Sequence, residues 1–385
     1  MVSKKQREKQ TEMAETPLES VPETDNENAM ASRVSKVNPD EYLSSGITLL
    51  NLAATNHPDC FVKKGTYCLL VGESSAGKSY LATQLLAEAA ANPAFDDYEL
   101  VYDDCENGNL FDIQELFGSK LASRLRAPEV TEDGIPVNSA SVEDFFGHVD
   151  DLISKGKKFV YVLDSMDSLT SSVSDMRFDA NKEQRQKDLA KGKFTSDLSL
   201  GYGDGKAKVI SSDLRRVVRR LTDSDSILVI ISQVRQNISG YGPKYVRSGG
   251  MALTFYCGVE VTILNAGDIK KTVGGKERVL GHKTKATITK NRNTGLKTSI
   301  EFPILIGTGI SDIDSVIDWL ASEGEIIAPS RSNGLWEYPR FDLKLNKDAL
   351  ALELEDRLPE VKEAVGERWN AVIQSVMTVR KRRYE

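Results

Sequence analysis

The stretch Gly72-Glu73-Ser74-Ser75-Ala76-Gly77-Lys78-Ser79 constrains this chain more than any other. It fits G-x-x-x-x-G-K-[ST], a loop built to hold phosphates. The apolar run Tyr67-Cys68-Leu69-Leu70-Val71 precedes it and reads as a buried strand. Residues 80–90 follow it and are rich in helix formers. Strand, loop and helix, in that order, is the context the motif requires. Glycine lets the backbone approach the phosphates, and N–H groups at the helix start face the anion. Lys78 is placed to reach the β- and γ-phosphates of a nucleoside triphosphate, and the Ser79 hydroxyl to ligate Mg²⁺. The alternative is a chance match in a Gly/Ser loop, which rarely brings the correct flanks with it.

Three more apolar runs read as strands of the same sheet. Residues 99–103 end in Asp104-Cys105-Glu106-Asn107-Gly108. Carboxylates at the carboxyl end of a strand next to the P-loop strand sit beside the nucleotide. Glu106 is therefore the candidate to orient and deprotonate an attacking water, with an acidic surface turn as the competing reading. The run Lys158–Asp164 ends in an aspartate, the Walker B arrangement, in which Asp164 holds Mg²⁺ through its water shell. Asp167 reads as a loop or cap residue. Residues 227–233 form the fourth run and end in the amide Gln233.

A loop at 234–250 is expected next. It is glycine-rich and basic and holds two tyrosines. Flexible backbone, positive charge and stacking rings suit single-stranded nucleic acid, with Arg235, Tyr241, Lys244 and Arg247 as the contact candidates. A helix is expected at 207–221, carrying Lys208 and Arg215 on a face that is either solvated or a contact surface. Residues 170–205 form a long excursion with little apolar periodicity that carries Lys182, Arg185, Lys187, Lys191 and Lys193 among polar residues. Strands are expected at 259–264, 286–290 and 299–306, with Lys290-Asn291-Arg292 closing the second.

Composition sets limits. A net charge of −7 opposes global affinity for nucleic acid, so any such binding is local. No apolar run is long enough to span a bilayer, so no membrane partner is expected. Four scattered cysteines show neither metal spacing nor a disulfide framework, which suits a reducing cytoplasm, and Cys68 and Cys257 read as core. The three histidines form no zinc pattern. Residues 1–31 are polar and read as a disordered arm. Helices at Asp312–Ser322 and 358–380, with a short strand around Trp336, mark residues 311–385 as a small C-terminal domain after a core at 32–310.

In this order the pieces resemble the RecA-type recombinases, especially the bacteriophage forms, over roughly residues 45–336. The P-loop with its Glu-Ser-Ser interior is similar to theirs. Asp104-Cys105-Glu106 resembles the family's Asp-x-Glu, whose Glu is the catalytic base. Asp164-Ser165 matches their Walker B ending. Ser232-Gln233-Val234-Arg235 is similar to the stretch whose Gln senses the γ-phosphate and opens the second DNA-binding loop. Ser248-Gly249-Gly250-Met251-Ala252-Leu253-Thr254-Phe255-Tyr256 is close to the family's most specific run. Lys290-Asn291-Arg292 resembles the Lys-Asn-Lys that contacts ATP from the neighbouring subunit. Lys208 and Arg215 fall where the family has DNA-contacting arginines, and Tyr241 near its loop Phe.

There are departures. Met251 and Thr254 replace Asn and Lys, and Leu110 and Ile113 stand where Asp and Tyr hold the adenine. The resemblance implies an α/β P-loop NTPase of the RecA type: a mainly parallel central sheet flanked by helices, a small C-terminal α+β domain and a disordered N-terminal arm. It implies a DNA-dependent ATPase using ATP and Mg²⁺. That ATPase would form a homo-oligomeric helical filament on single-stranded DNA and pair it with homologous duplex DNA. The rivals are a ring-forming helicase with the same core and a non-catalytic ATP-binding paralogue. Intact Lys78, Glu106 and Asp164 oppose the second.

Overall fold

Apolar residues on both faces of a strand can be covered only by layers on both sides, and the four runs above are strands of that kind. In the computed structural model they are β1 (Tyr67–Gly72), β2 (Tyr98–Asp104), β3 (Lys158–Asp164) and β4 (Ile227–Gln236). The structure describes residues 37–108, 111–172, 204–236, 245–247, 251–331 and 334–376, with isolated positions 176, 182–183, 185–187 and 190. The expected arm at 1–31 and most of the excursion at 170–205 lie outside the described residues. Pro39–Glu385 form one compact unit.

The strands run parallel in the order β1-β4-β3-β2. Side chains alternate between two cores. In β1, Cys68 and Leu70 face one core, while Tyr67, Leu69 and Val71 face the other. The first core is closed by α1 (Thr48–Thr55) and by α2 (Lys78–Ala91), through Leu81, Leu85, Leu86 and Ala89. The second is closed by α4 (Val142–Ser154) and α5 (Asp204–Ser224). In α5, Ile210, Leu214, Val217 and Leu221 recur at helical spacing and are buried. A capping box starts α4: the Ser141 hydroxyl accepts from Asp144 N, and the Asp144 carboxylate accepts from Ser141 N. The helix α3 (Ile113–Arg124) follows β2 and packs against α2.

Beyond β1 on the other side the sheet continues through β6 (Val259–Val273), parallel to β1, then antiparallel β7 (Lys276–Asn291) and β8 (Ser299–Leu305). The helices α7 (Asp312–Ser322), α8 (Lys347–Glu355) and α9 (Leu358–Val376) follow, and Ile313, Val316, Leu350, Val361, Val365 and Trp369 bury into the first core. Cys68 and Cys257 are buried, as the sequence suggested.

Three expectations are corrected. The strand bearing Glu106 is not next to β1, because β4 and β3 stand between them. The loop expected from residue 234 begins as strand: β4 runs on to Gln236 and pairs antiparallel with β5 (Tyr245–Arg247). The short strands expected at 259–264 and 286–290 are the inner halves of a long hairpin. Its turn, Gly274-Gly275, has φ of 60° and 71°, as a two-residue turn between right-twisted strands requires. The outer half is charged and exposed, so it carries no alternation to read. The helix α8 was not anticipated.

Candidate nucleotide site

The parallel strands bring their carboxyl ends to one edge, and the register sets what meets there. Gly72 lies level with Gln233, and Asp104 level with Asp164. At that edge β1 turns into Glu73-Ser74-Ser75-Ala76-Gly77. Gly77 has φ of 98°, a conformation that suits glycine, and α2 starts at Lys78. The Thr284 hydroxyl of β7 donates to Ala76 O and braces the loop from the side. Ser74 and Ser75 are exposed at its crest. The backbone N–H groups from here into α2 form the kind of cradle that suits a phosphate.

Lys78 is buried, and its Nζ donates to Glu73 O at 2.6 Å. Burial pushes its pKa down, opposed by the charges of Asp164, Glu106, Asp167 and Glu73. One ammonium thus faces several carboxylates. Asp164 is buried as well. Burial raises its pKa, hydrogen bonds from Ser79 and Tyr102 oppose that, and the charges of Glu106 and Asp104 add to it. The Tyr102 hydroxyl donates to Asp164 Oδ2 at 2.7 Å.

No cluster of three His, Cys, Asp or Glu among the described residues forms a metal cage. The Ser79 hydroxyl beside the Asp164 carboxylate offers a two-donor oxygen set. Such a set fits Mg²⁺, which keeps several of its waters and shares the phosphates. The excess of negative charge around Lys78 fits a cation too. Mg²⁺ would supply charge neutralisation between the β- and γ-oxygens.

Glu106 sits on the turn beyond β2, where Asn107 has φ of 50° and Gly108 N donates to Asp104 Oδ1. Glu106 N donates to Asp164 O at 3.3 Å. Its Oε1 accepts from the Ser165 hydroxyl at 2.5 Å and from Gln233 Nε2 at 2.9 Å. Gln233 N in turn donates to Asp167 Oδ2 at 2.6 Å, while Asp167 Oδ1 is buried without a hydrogen-bond partner. The Asp164–Ser165 peptide is cis. So the structure brings Lys78, Ser79, Asp164, Glu106 and Gln233 together at one edge of the sheet. Ser165 and Asp167 tie Glu106 and Gln233 to the Walker B turn, contacts that the sequence reading did not assign to them. A serine and an aspartate in a turn carry no pattern that announces such a role.

Lys290 and Arg292 do not join this cluster within the chain. By register Lys290 is level with Glu260, and Glu260 with Leu69. That is roughly 10 Å back along the strand axis from Gly72 and roughly 10 Å aside. Both cations donate to carbonyls closing α6 (Met251–Tyr256): Lys290 Nζ to Thr254 O and Phe255 O, Arg292 Nη2 to Phe255 O at 2.6 Å. Positive charge at the carboxyl end of a helix is favourable. Burial lowers the Lys290 pKa; the charges of Cys257 and Glu260 oppose this and that of Arg292 reinforces it.

On α5, Lys208 and Arg215 are exposed two turns apart, and Arg219 extends the same exposed line. Arg215 Nε donates to the Tyr256 hydroxyl at 3.3 Å. Arg216 and Arg220 instead pair with Asp150 of α4. Arg235 and Arg247 lie in the β4–β5 hairpin, where Arg235 pairs with Val246 and Arg247 with Val234. Tyr241, Lys244 and Leu110 lie outside the described residues. No helix among the described residues is long and apolar enough to cross a membrane.

Comparison with known proteins agrees with this architecture. Residues 174–311 match the model of the RecA N-terminal domain. The chain is 26% identical to Protein RecA of Caulobacter sp. (strain K31), over 76% of this chain and 74% of that one. It is 24% identical to Protein RecA of Bdellovibrio bacteriovorus, over 84% and 79% respectively. It is 27% identical to Protein RecA of Chlamydia abortus, over 78% of each.

Proposed function

From a chain that is RecA-type in sequence and in fold, we propose an ATP-dependent DNA recombinase. It would assemble on single-stranded DNA and promote pairing and strand exchange with homologous duplex. One observation carries the reading most. The carboxylate of Glu106 is held between Ser165 at the Walker B end and Gln233, on the strand that continues into the β4–β5 hairpin. A γ-phosphate bound beside Lys78 competes for the Gln233 amide, so the nucleotide state is felt at the root of the hairpin that bears Arg235 and Arg247. Glu106 then acts as the base that activates water, Lys78 offsets charge on the transferring phosphoryl group, and Ser79 and Asp164 hold Mg²⁺.

The same reading gives Lys290 and Arg292 a role in trans. They lie on the far side of β1 from the catalytic turn, so a second copy of the chain would bring them to the triphosphate of the first. The line Lys208–Arg215 and the hairpin arginines would neutralise DNA phosphates locally, against an overall charge of −7.

Electron microscopy with single-stranded DNA and a non-hydrolysable ATP analogue tests the proposal. Helical filaments that need both ligands are expected. Closed rings would instead favour the helicase reading, and absence of any nucleotide-dependent assembly would sink both.

A further inference from the structure

We propose that Asp103 is a positioning residue for Glu106, acting through Cys105. The inference rests on the reading of Glu106 as the base and asks what holds that side chain in place.

Asp103 occupies a position where the strand pattern calls for an apolar side chain. Its neighbours on that face, Val101 of β2 and Tyr161 and Leu163 of β3, all belong to the second core. Asp103 is itself fully buried, at 0% exposure. A polar group there is costly unless its acceptors are filled. They are filled four times over. Asp103 Oδ2 accepts from the Tyr161 hydroxyl at 2.5 Å and from the Ser139 hydroxyl at 2.6 Å. Asp103 Oδ1 accepts from Ser139 N at 2.8 Å and from Cys105 Sγ at 3.4 Å. An apolar residue would pack this site at less cost, so the strand departs from its local rule for a reason other than packing.

The reason lies in what those donors belong to. Tyr161 is on β3, three residues before the Walker B aspartate. Ser139 leads into α4, and its hydroxyl also lies 3.0 Å from His148 Nδ1 on that helix. Cys105 is the first residue of the catalytic turn and the direct neighbour of Glu106. Asp103 therefore ties the root of that turn to a rigid strand on one side and to α4 on the other. Burial, with the nearby Asp103 carboxylate next, pushes the Cys105 thiol well up, so the sulfur remains a hydrogen donor across the working range.

Above this root the turn is closed by Gly108 N donating to Asp104 Oδ1. Between the two anchors Glu106 must meet Ser165 and Gln233 together. Misplacing a catalytic group by about 1 Å costs on the order of a hundredfold in rate. Releasing the root of the turn is expected to cost part of that, about tenfold.

The experiment compares Cys105→Ala, Cys105→Ser, Asp103→Ala and the Asp103→Ala/Cys105→Ala pair in the full-length protein. It measures DNA-stimulated ATP hydrolysis, affinity for a fluorescent ATP analogue, and amide hydrogen exchange. Cys105→Ala is expected to lower kcat about tenfold, leave nucleotide affinity unchanged and speed exchange at 105–108. Cys105→Ser, which keeps a donor, recovers most of kcat. Asp103→Ala, which removes the acceptor that Cys105 Sγ donates to, reproduces the loss, and adding Cys105→Ala to it costs little more, because both act on one link. Two outcomes overturn the inference while leaving the ATPase reading intact: wild-type kcat in Cys105→Ala, or equal impairment of Ala and Ser. A wild-type chain that hydrolyses no more ATP than Lys78→Ala is the separate failure, and it removes the Glu106 reading together with this inference.

Discussion

Replacing Gly72 by alanine adds one methyl group where β1 lies against the backbone of β6. The two strands pair at Gly72 and Ile263. A Cβ on Gly72 would lie 2.0 Å from Ile263 O and 3.0 Å from its carbonyl carbon. An ordinary contact is about 3.4 Å, so the atoms must part by about 1.4 Å. The obstacle is backbone inside a sheet and cannot rotate aside as a side chain can. Either β6 separates locally from β1 or the base of the P-loop shifts. Overpacking of this kind costs about 1–3 kcal/mol, and the backbone obstacle places Gly72→Ala near the upper end. A shift of about 1 Å transmitted to Lys78 and Ser79 lowers turnover on the order of a hundredfold. Thermal melts, steady-state ATPase and titration with a fluorescent ATP analogue read the three effects. Gly147→Ala is the control. Gly147 lies on α4, nothing lies within 4 Å of its added Cβ, and the change is expected to stabilise by about 0.5–1 kcal/mol. If Gly72→Ala melts and turns over like wild type, the close approach of β1 and β6 does not constrain the loop and the reasoning fails.

Glu106→Gln keeps the shape and the contacts to Ser165 and Gln233 but removes the base; ATP should still bind while turnover falls roughly 10²–10⁴-fold, and an unchanged rate would rule out Glu106 as base. The double variant Lys290→Ala/Arg292→Ala should bind nucleotide as a monomer yet lose DNA-stimulated hydrolysis. Mixed with Lys78→Ala protein it should regain some activity, and lack of rescue despite demonstrated co-assembly counts against action in trans. Glu88, on α2, has its pKa raised by burial, opposed by a hydrogen bond from Ser44 and the charge of Lys362. Its ionisation therefore opposes folding above the raised value, and that penalty disappears as pH falls below the unfolded value of 4.5. Glu88→Gln should accordingly melt a few degrees higher than wild type at pH 7, with the gap closing towards pH 4.5; a gap that widens on acidification would reverse the assignment.

The P-loop pattern, the two-sided burial of the central strands and the candidacy of Glu106 and Asp164 are all readable in the chain alone. Each is legible because its cause is local: glycine at a tight approach, an apolar run of strand length, an acid at a strand end. Strand order was not legible. Runs that are apolar on both faces are interchangeable by pattern, and only the crossovers through α4 and α5 put β4 between β1 and β3. That order brings Gln233 to Glu106 across 127 residues of chain and lets Asp167 catch the Gln233 amide. The outer half of the β6–β7 hairpin was hidden because both its faces are charged and exposed, so pairing between its two strands holds it without burial. Asp103 was hidden for the opposite reason. An acid at the end of an apolar strand, next to an acidic turn, carries no mark of which way it faces, and only the packing of Tyr161, Ser139 and Cys105 around it shows that it faces inward. Local patterns select the elements, whereas hydrogen bonds between side chains distant in sequence depend on three-dimensional neighbours that no window of the chain contains.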